Sequence, residues 1–185
     1  MLHYCARLRQ IEPLDSMSRY KVAMPDQTMH IEYLADRPAF VPTLARWHYS
    51  EWAYLRPGDS VEARVARLQG WCGRGKIPLT FVAVSGGELL GSASLVEHDM
   101  DNRPELSPWL AGVFVRPERR RQGIGAALVR RIMDEATLLQ VSTLYLYTVE
   151  STAFYANLGW SLLENTAYRR REVSIMSYST ITTKP

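Results

Sequence analysis

The segment Val115-Arg-Pro-Glu-Arg-Arg-Arg-Gln-Gly-Ile-Gly-Ala126 constrains this chain more than any other stretch of it. An apolar run from Trp109 to Val115 leads into the segment and reads as a strand. A periodic run leads out of it, with Ile124, Ala127, Leu128, Ile132, Ala136 and Leu139 spaced for one face of a helix. A strand, a loop carrying two Gly and a helix N-terminus in that order form an anion cradle. The first N–H groups of a helix have no internal partner, and the helix dipole adds partial positive charge there. Gly lacks the Cβ that would keep a phosphate off the backbone.

Other features set the frame around this loop. The chain has 185 residues, which is one domain's worth with room for a full core. A net charge of +3 is too mild to make nucleic acid the main partner. No apolar run reaches the ~18 residues of a membrane span. The N-terminus carries Arg7, Arg9, Glu12 and Asp15 and lacks the apolar core of a signal peptide. Cys5 and Cys72 match no metal or redox spacing, which suits a reducing compartment and places the protein in the cytoplasm.

Residues 1–27 have no clear periodicity and read as an extension outside the core fold, which is expected over 28–180. A short strand is expected at His30 to Leu34. Asp36 and Pro38 then predict the cap and first turn of a helix that ends near Pro57-Gly58, with Trp47 and Trp52 on its apolar stripe. Asp59 or Ser60 caps a second helix, with Val61, Val65 and Leu68 inward. Leu79 to Ser85 and Glu88 to Val96 form a hairpin about Gly86-Gly87. Gly112, inside the strand 109–115, predicts a bulge. A strand over Thr143 to Val149, a short helix over Thr152 to Leu158 and two last strands near Trp160–Tyr168 and Glu172–Ser179 complete the order β-α-α-β-β-β-α-β-α-β-β. The crossover from strand 109–115 to strand 143–149 makes those two parallel. The hairpins make the rest antiparallel. The expected class is α/β (α+β): a mixed, mostly antiparallel sheet of about seven strands flanked by four helices.

The loop reads V-x-P-E-x-R-x-x-G-x-G through Val115, Pro117, Glu118, Arg120, Gly123 and Gly125, and Ala153-Phe-Tyr-Ala-Asn-Leu-Gly-Trp160 follows about thirty residues later. In these two segments, and in the order of its elements, the chain over about residues 28 to 180 resembles the GNAT (Gcn5-related N-acetyltransferase) superfamily. The resemblance implies acetyl-CoA as cosubstrate and an amine as acceptor. It implies that backbone amides around Gln122, Gly123, Ile124, Gly125 and Ala126 hold the CoA pyrophosphate, with Arg120 and Arg121 framing the loop. It implies that backbone groups of Val113, Phe114 and Val115 pair with the pantetheine arm where the two parallel strands splay. Tyr155 stands where the family has its general acid, facing the CoA sulfur. Thr148 stands where many members have an Asn that contacts the cofactor arm. Arg121 stands where Gly is commonest, which is tolerable unless the residue needs a positive φ. Many members form homodimers; no segment here marks such an interface.

The chemistry makes its own demands. A free alkylammonium has a pKa of ~10.4, so freeing the amine at pH 7 costs roughly 4–5 kcal/mol. A base or a desolvating pocket must meet that cost. Strand 109–115 has no Glu or Asp, although many members place a base there. Glu97, with His98, Asp99 and Asp101, ends the neighbouring strand and supplies the best candidates, Glu97 first. The thioester oxygen needs an N–H donor, which a bulge at Gly112 can free. The leaving thiolate resembles Cys at ~8.5 against ~10 for Tyr, so Tyr155 is a hydrogen-bond donor before it is a proton donor.

Rival readings are weaker. Gly123-Ile-Gly125 begins a dinucleotide G-x-G-x-x-G, but the third position is Leu128, and the strand ends at Val115, eight positions before Gly123, where a dinucleotide turn brings its first Gly directly off the strand. Arg119–Arg121 with Arg130 and Arg131 could mark a nucleic-acid patch, yet no aromatic-interleaved motif accompanies them. His48 and Glu51 share a helix face without a third metal ligand, which leaves them structural or acceptor-pocket roles and no metal site. The acceptor is expected to be a small-molecule primary amine. A protein N-terminus or Lys is the alternative, and a non-catalytic acyl-CoA-binding module is the rival of another class.

Overall fold

The computed structural model describes residues 22–23 and 28–181. Its eight strands are β1 (Val22–Ala23), β2 (Thr28–Tyr33), β3 (Leu79–Ser85), β4 (Glu88–Val96), β5 (Trp109–Val115), β6 (Thr143–Thr148), β7 (Ser161–Tyr168) and β8 (Arg171–Ser179). They form one sheet in the order β1-β2-β3-β4-β5-β6-β8-β7. The helices are α1 (Val41–Trp52), α2 (Val61–Gly70), α3 (Ile124–Leu138) and α4 (Thr152–Ala156). Seven main strands and four helices match the expected class. Two-residue β1 pairs with the outer edge of β2. The remainder of the expected extension lies outside the described residues.

Central β3 is buried on both faces, because alternate residues feed two cores. Phe81 and Ala83 pack with Leu90, Leu95 and Leu110 under α3, which buries Ile124, Leu128, Val129 and Ile132. Val82 and Val84 face the other way, against Leu44 and Ala45 of α1 and Leu68 of α2. Fully burying a Leu or Ile stabilises by about 1.5–3 kcal/mol, so each helix is anchored by its own apolar stripe.

Two local expectations need correction. Asp36 caps no α-helix: two 3₁₀ turns, Leu34–Asp36 and Pro38–Phe40, precede α1, whose N-cap is Phe40. The helix also stops at Trp52 and continues only as a 3₁₀ turn over Ala53–Leu55. Pro57 forces the residue before it out of the α region, and Arg56 is extended at φ −137°, ψ 95°. Ser60 does cap α2, its side chain accepting from the Ala63 N–H at 3.1 Å. No helix among the described residues is long and apolar enough to cross a membrane.

The feature that places the site is the seam between β5 and β6. These strands are parallel, yet they pair only at Trp109↔Tyr145. Beyond that point they diverge. On the other side of β5, Gly112 and Val113 face the single residue Ala93 of β4. Gly112 has φ +59°, so the expected bulge is present at the expected residue.

Candidate functional site

Two clefts open where β5 and β6 part. The first lies over the loop before α3 and is lined by Val113, Phe114, Val115, Arg119, Arg120, Arg121, Gly123, Ile124, Gly125, Ala126 and Phe154. The second lies under α1 and α2 and takes in His48, Trp52, Arg56, Asp99, Tyr147 and Thr148. Glu51, Val113, Ser151 and Tyr155 line both. The clefts therefore meet at the bulged strand and at the Tyr155 side chain.

The first cleft has the build of an anion site. The first hydrogen bond of α3 joins the Ala127 N–H to the Gly123 carbonyl, which leaves the amides of Ile124, Gly125 and Ala126 without a backbone partner. Gly123 caps the helix at φ +81°, a conformation that only Gly adopts without strain. Arg121 has φ +61°. The position where Gly is commonest in the family is thus one that wants Gly, and this chain bears the strain of an Arg there. Arg120 turns back into the protein: its Nε donates to the Val115 carbonyl at 3.0 Å and its Nη2 to Glu51 at 3.1 Å. Arg119 and Arg121 are the loop cations without an ion pair among the described residues. Gln122 lies outside the cleft lining, and its side chain donates to the Glu118 carbonyl at 3.4 Å.

Tyr155 sits on α4, buried between Phe154 and Trp160, with ring centroids at 4.9 and 6.2 Å. Its hydroxyl makes no hydrogen bond among the described residues, so it is available to whatever occupies the clefts. Burial pushes its pKa up to about 12. Thr148 accepts from the Ser151 N–H at 3.0 Å and lines the second cleft, away from the anion loop. Its hydroxyl accepts at the turn into α4 and keeps its own proton to donate into that cleft.

Glu97 needs correction. β4 ends at Val96, the chain bends away, and the exposed Glu97 side chain lines neither cleft. Asp99, two residues on, does line the second cleft. It forms no ion pair or hydrogen bond among the described residues. Burial raises its pKa to about 6, against the pull of the Arg56, Arg169 and Arg67 charges. The sequence offers Tyr168 and Arg169–Arg171 at the last hairpin as either a pocket border or a solvated turn, and Arg169 and Arg171 do line this cleft; it does not single out Arg56 on the α1–α2 connection or Arg64 and Arg67 on α2.

His48 is a packing residue of the site. It is 4% exposed, stacks near Trp52 and Phe114, and lies 3.4 Å from where a Cβ on Gly112 would stand. Ser92 Oγ donates to the Gly112 carbonyl at 3.2 Å and meets His48 Nε2 at 2.9 Å. With the Ser proton committed to Gly112, Nε2 carries the ring proton and donates to Ser92. Burial and the Arg64 and Arg67 charges push the His48 pKa down to about 3, so the ring stays neutral. His48, Ser92 and Gly112 together fix the bulge that leaves Val113 facing both clefts.

Arg131, expected as part of a surface patch, is buried. Its guanidinium pairs with Glu135 at 2.8 Å and lies 4.0 Å over the Phe81 ring, while the Tyr33 hydroxyl donates to Glu135 at 2.6 Å. The nucleic-acid reading loses one of its cations to the core.

Solved structures share this architecture. An aminoglycoside 6'-N-acetyltransferase complexed with coenzyme A is 17% identical, with a TM-score of 0.67 over 84% of this chain and 99% of that one. The aminoglycoside 6'-N-acetyltransferase from Enterococcus faecium is 16% identical, with a TM-score of 0.65 over 84% and 99%. The yncA structure from Salmonella typhimurium, with its cofactor acetyl-CoA, is 17% identical, with a TM-score of 0.64 over 85% and 96%. At such identities the likeness concerns the fold. No curated protein matches the chain. The acetyltransferase (GNAT) family matches residues 41–160, from the first residue of α1 through both clefts to the tryptophan before β7, and this chain belongs to that family.

Proposed function

We propose that residues 28–180 transfer the acetyl group of acetyl-CoA directly to a primary amine of a small molecule. The observation that carries this reading is the meeting of two clefts at Val113 and Tyr155: one is an anion cradle at a helix N-terminus, the other a polar pocket of about 350 Å³. As a GNAT acetyltransferase the chain uses acetyl-CoA as cosubstrate. Its pyrophosphate belongs on the free amides of Ile124 to Ala126, and its pantetheine arm along Val113 to Val115. The acceptor belongs in the second cleft.

The step requires the amine nitrogen to attack the thioester carbonyl. The Val113 region of the bulge supplies an N–H toward the developing oxyanion. The C–S bond then breaks and the thiolate leaves toward Tyr155. With its pKa near 12 against ~8.5 for a thiol, complete proton transfer from Tyr155 is uphill by roughly 5 kcal/mol. Its hydroxyl therefore acts by hydrogen-bonding the thiolate, and the second proton that the attacking nitrogen loses as the amide forms passes through solvent to give CoA–SH. Asp99, in place of Glu97, is the carboxylate set to receive the ammonium proton, directly or through water. Neither cleft is lined by a Cys, which supports direct transfer over an acyl-enzyme. The reading sets the reaction in the cytoplasm, a reducing compartment that suits a chain whose Cys5 and Cys72 match no metal or redox spacing.

A small acceptor is favoured over a protein because the second cleft has the volume of a small-ligand pocket, walled in part by Arg171 stacked 5.2 Å over the Tyr54 ring. The test is CoA release from acetyl-CoA over a panel of small amines and of peptides. Amine-dependent release with an acetylated small product is the expected result. Acetyl-CoA binding without amine-dependent release would turn the reading toward a sensing module; release with peptides alone would turn it toward protein acetylation.

A further inference from the structure

The acceptor cleft is basic. Arg56, Arg64, Arg67, Arg169 and Arg171 line it, against the carboxylates Glu51, Asp99 and Glu150. Several of these charges are already committed. Arg64 lies 2.5 Å and Arg67 3.9 Å from Asp59, whose side chain is buried. Arg169 pairs with Asp101 at 3.0 Å, and Glu51 pairs with Arg120 at 3.1 Å. Arg56 and Arg171 have no carboxylate of their own among the described residues; Arg171 has only the Tyr54 ring beneath it. Two cations with no ion pair among the described residues thus line one pocket: Arg56 on the α1–α2 connection and Arg171 at the start of β8.

We propose that the acceptor is an amine that also carries an anionic group, a carboxylate or a phosphate, and that Arg56 and Arg171 hold that anion while Asp99 receives the amine end. The proposal rests on the acetyl-transfer reading above and names its acceptor class. A polycation such as an aminoglycoside would meet Arg56 and Arg171, the two cleft arginines with no ion pair among the described residues, and like charges repel. An anion there gains charge-assisted hydrogen bonds from guanidinium groups whose planar donors suit carboxylate and phosphate oxygens. The same positive surroundings disfavour an ammonium ion and so ease the loss of the acceptor's proton. This solves the problem posed by a strand β5 that carries no acidic base.

The test compares matched amines on the full-length protein: an amino acid and its amide, an aminoalkyl phosphonate and the corresponding amino alcohol, a polyamine and an aminoglycoside. The anionic member of each pair should show at least about a tenfold higher kcat/KM, the effect of roughly one charge-assisted contact. The carboxylate and phosphonate arms tell the two anion classes apart. In Arg56→Gln/Arg171→Gln the preference should collapse to near parity, Arg171→Lys should keep most of it, and Arg171→Glu should shift it toward the polyamine. Intrinsic fluorescence titration with the same compounds, made possible by Trp52 and Trp71 in the cleft wall, reads binding with or without turnover. Better turnover or binding of the neutral or cationic members overturns the proposal and leaves acetyl transfer standing. Release of CoA with none of the amines sinks acetyl transfer, and the titration still decides whether the cleft selects anions. Absence of saturable, anion-dependent binding overturns the proposal outright.

Discussion

Arg120 donates to Glu51 at 3.1 Å across 69 residues of chain, and so ties α1 to the loop that opens α3. Both clefts border on Glu51, so the pair sits at their boundary. Each partner is more than a third exposed, which limits the pair's direct worth to ~0.2–1 kcal/mol. The consequence is felt by an anion bound nearby. Glu51 cancels part of the Arg120 charge, while Val115 and the Phe114 ring also hold the guanidinium. Glu51→Gln should therefore lower the KM for acetyl-CoA a few-fold, whereas Arg120→Ala should raise it about tenfold. Steady-state kinetics at low ionic strength read both, and the melting temperature should move by only a few degrees in either variant.

Much of this site was legible in sequence because its parts are local. A strand, two Gly and a periodic helix form a unit within thirty residues, and the bulge at Gly112 follows from one misplaced residue type. Glu97 and Asp99 show where legibility stops. Which of two acids two positions apart enters a cleft depends on where β4 ends and how the chain then bends, and no periodicity records that. The arginines of the acceptor cleft are gathered from three distant segments, so no spacing announces them.

Tyr155→Phe tests the leaving-group role. The ring packing against Phe154 and Trp160 survives the loss of a hydroxyl that has no protein partner, so stability and acetyl-CoA binding should change little. The loss should appear in kcat, by about a hundredfold or more, the range for one positioned acid. Because burial holds the pKa near 12, the phenol stays protonated across the working range, and any fall in kcat below about pH 10 has another origin. A Phe variant with wild-type turnover would remove Tyr155 from the reaction.

His48 makes a stability prediction with a definite sign. Its folded pKa of about 3 lies below the unfolded value of ~6.5, so between those limits the unfolded chain binds the extra proton. The neutral ring's stabilisation is complete above pH 6.5 and is lost as pH falls toward 3, at about 1.4 kcal/mol per pH unit. Asp99 works the other way: raised to about 6, it makes the fold gain stability as pH falls through its range, and the two slopes oppose each other in the wild type. The difference between wild type and His48→Gln cancels the Asp99 contribution. Urea denaturation from pH 7 to pH 4 should show the wild type losing ground to His48→Gln as pH falls, and parallel curves would refute the buried neutral ring.

The Arg131–Glu135 pair shows that a charge run can be read by helix phase. Arg131 follows Ile124 and Leu128 on the buried stripe, and Glu135 follows it by one turn, so the sequence held the signal that these two share an inward face. In the fold, Arg131 covers the Phe81 ring and Glu135 takes the Tyr33 hydroxyl at 2.6 Å, which joins α3 to β2 and β3. Removing Glu135 takes the ion pair from a buried guanidinium. Glu135→Ala should cost about 3–5 kcal/mol, a large share of the ~5–15 kcal/mol by which domains are stable. Arg131→Met with Glu135→Leu removes both charges and keeps the volume apolar, and should cost far less than the single change. Chemical denaturation of the wild type, both single variants and the double variant closes the cycle. A double variant as unstable as Glu135→Ala would mean that the pair contributes through its packing over Phe81 and Tyr33, with the broken ion pair a minor part of the loss.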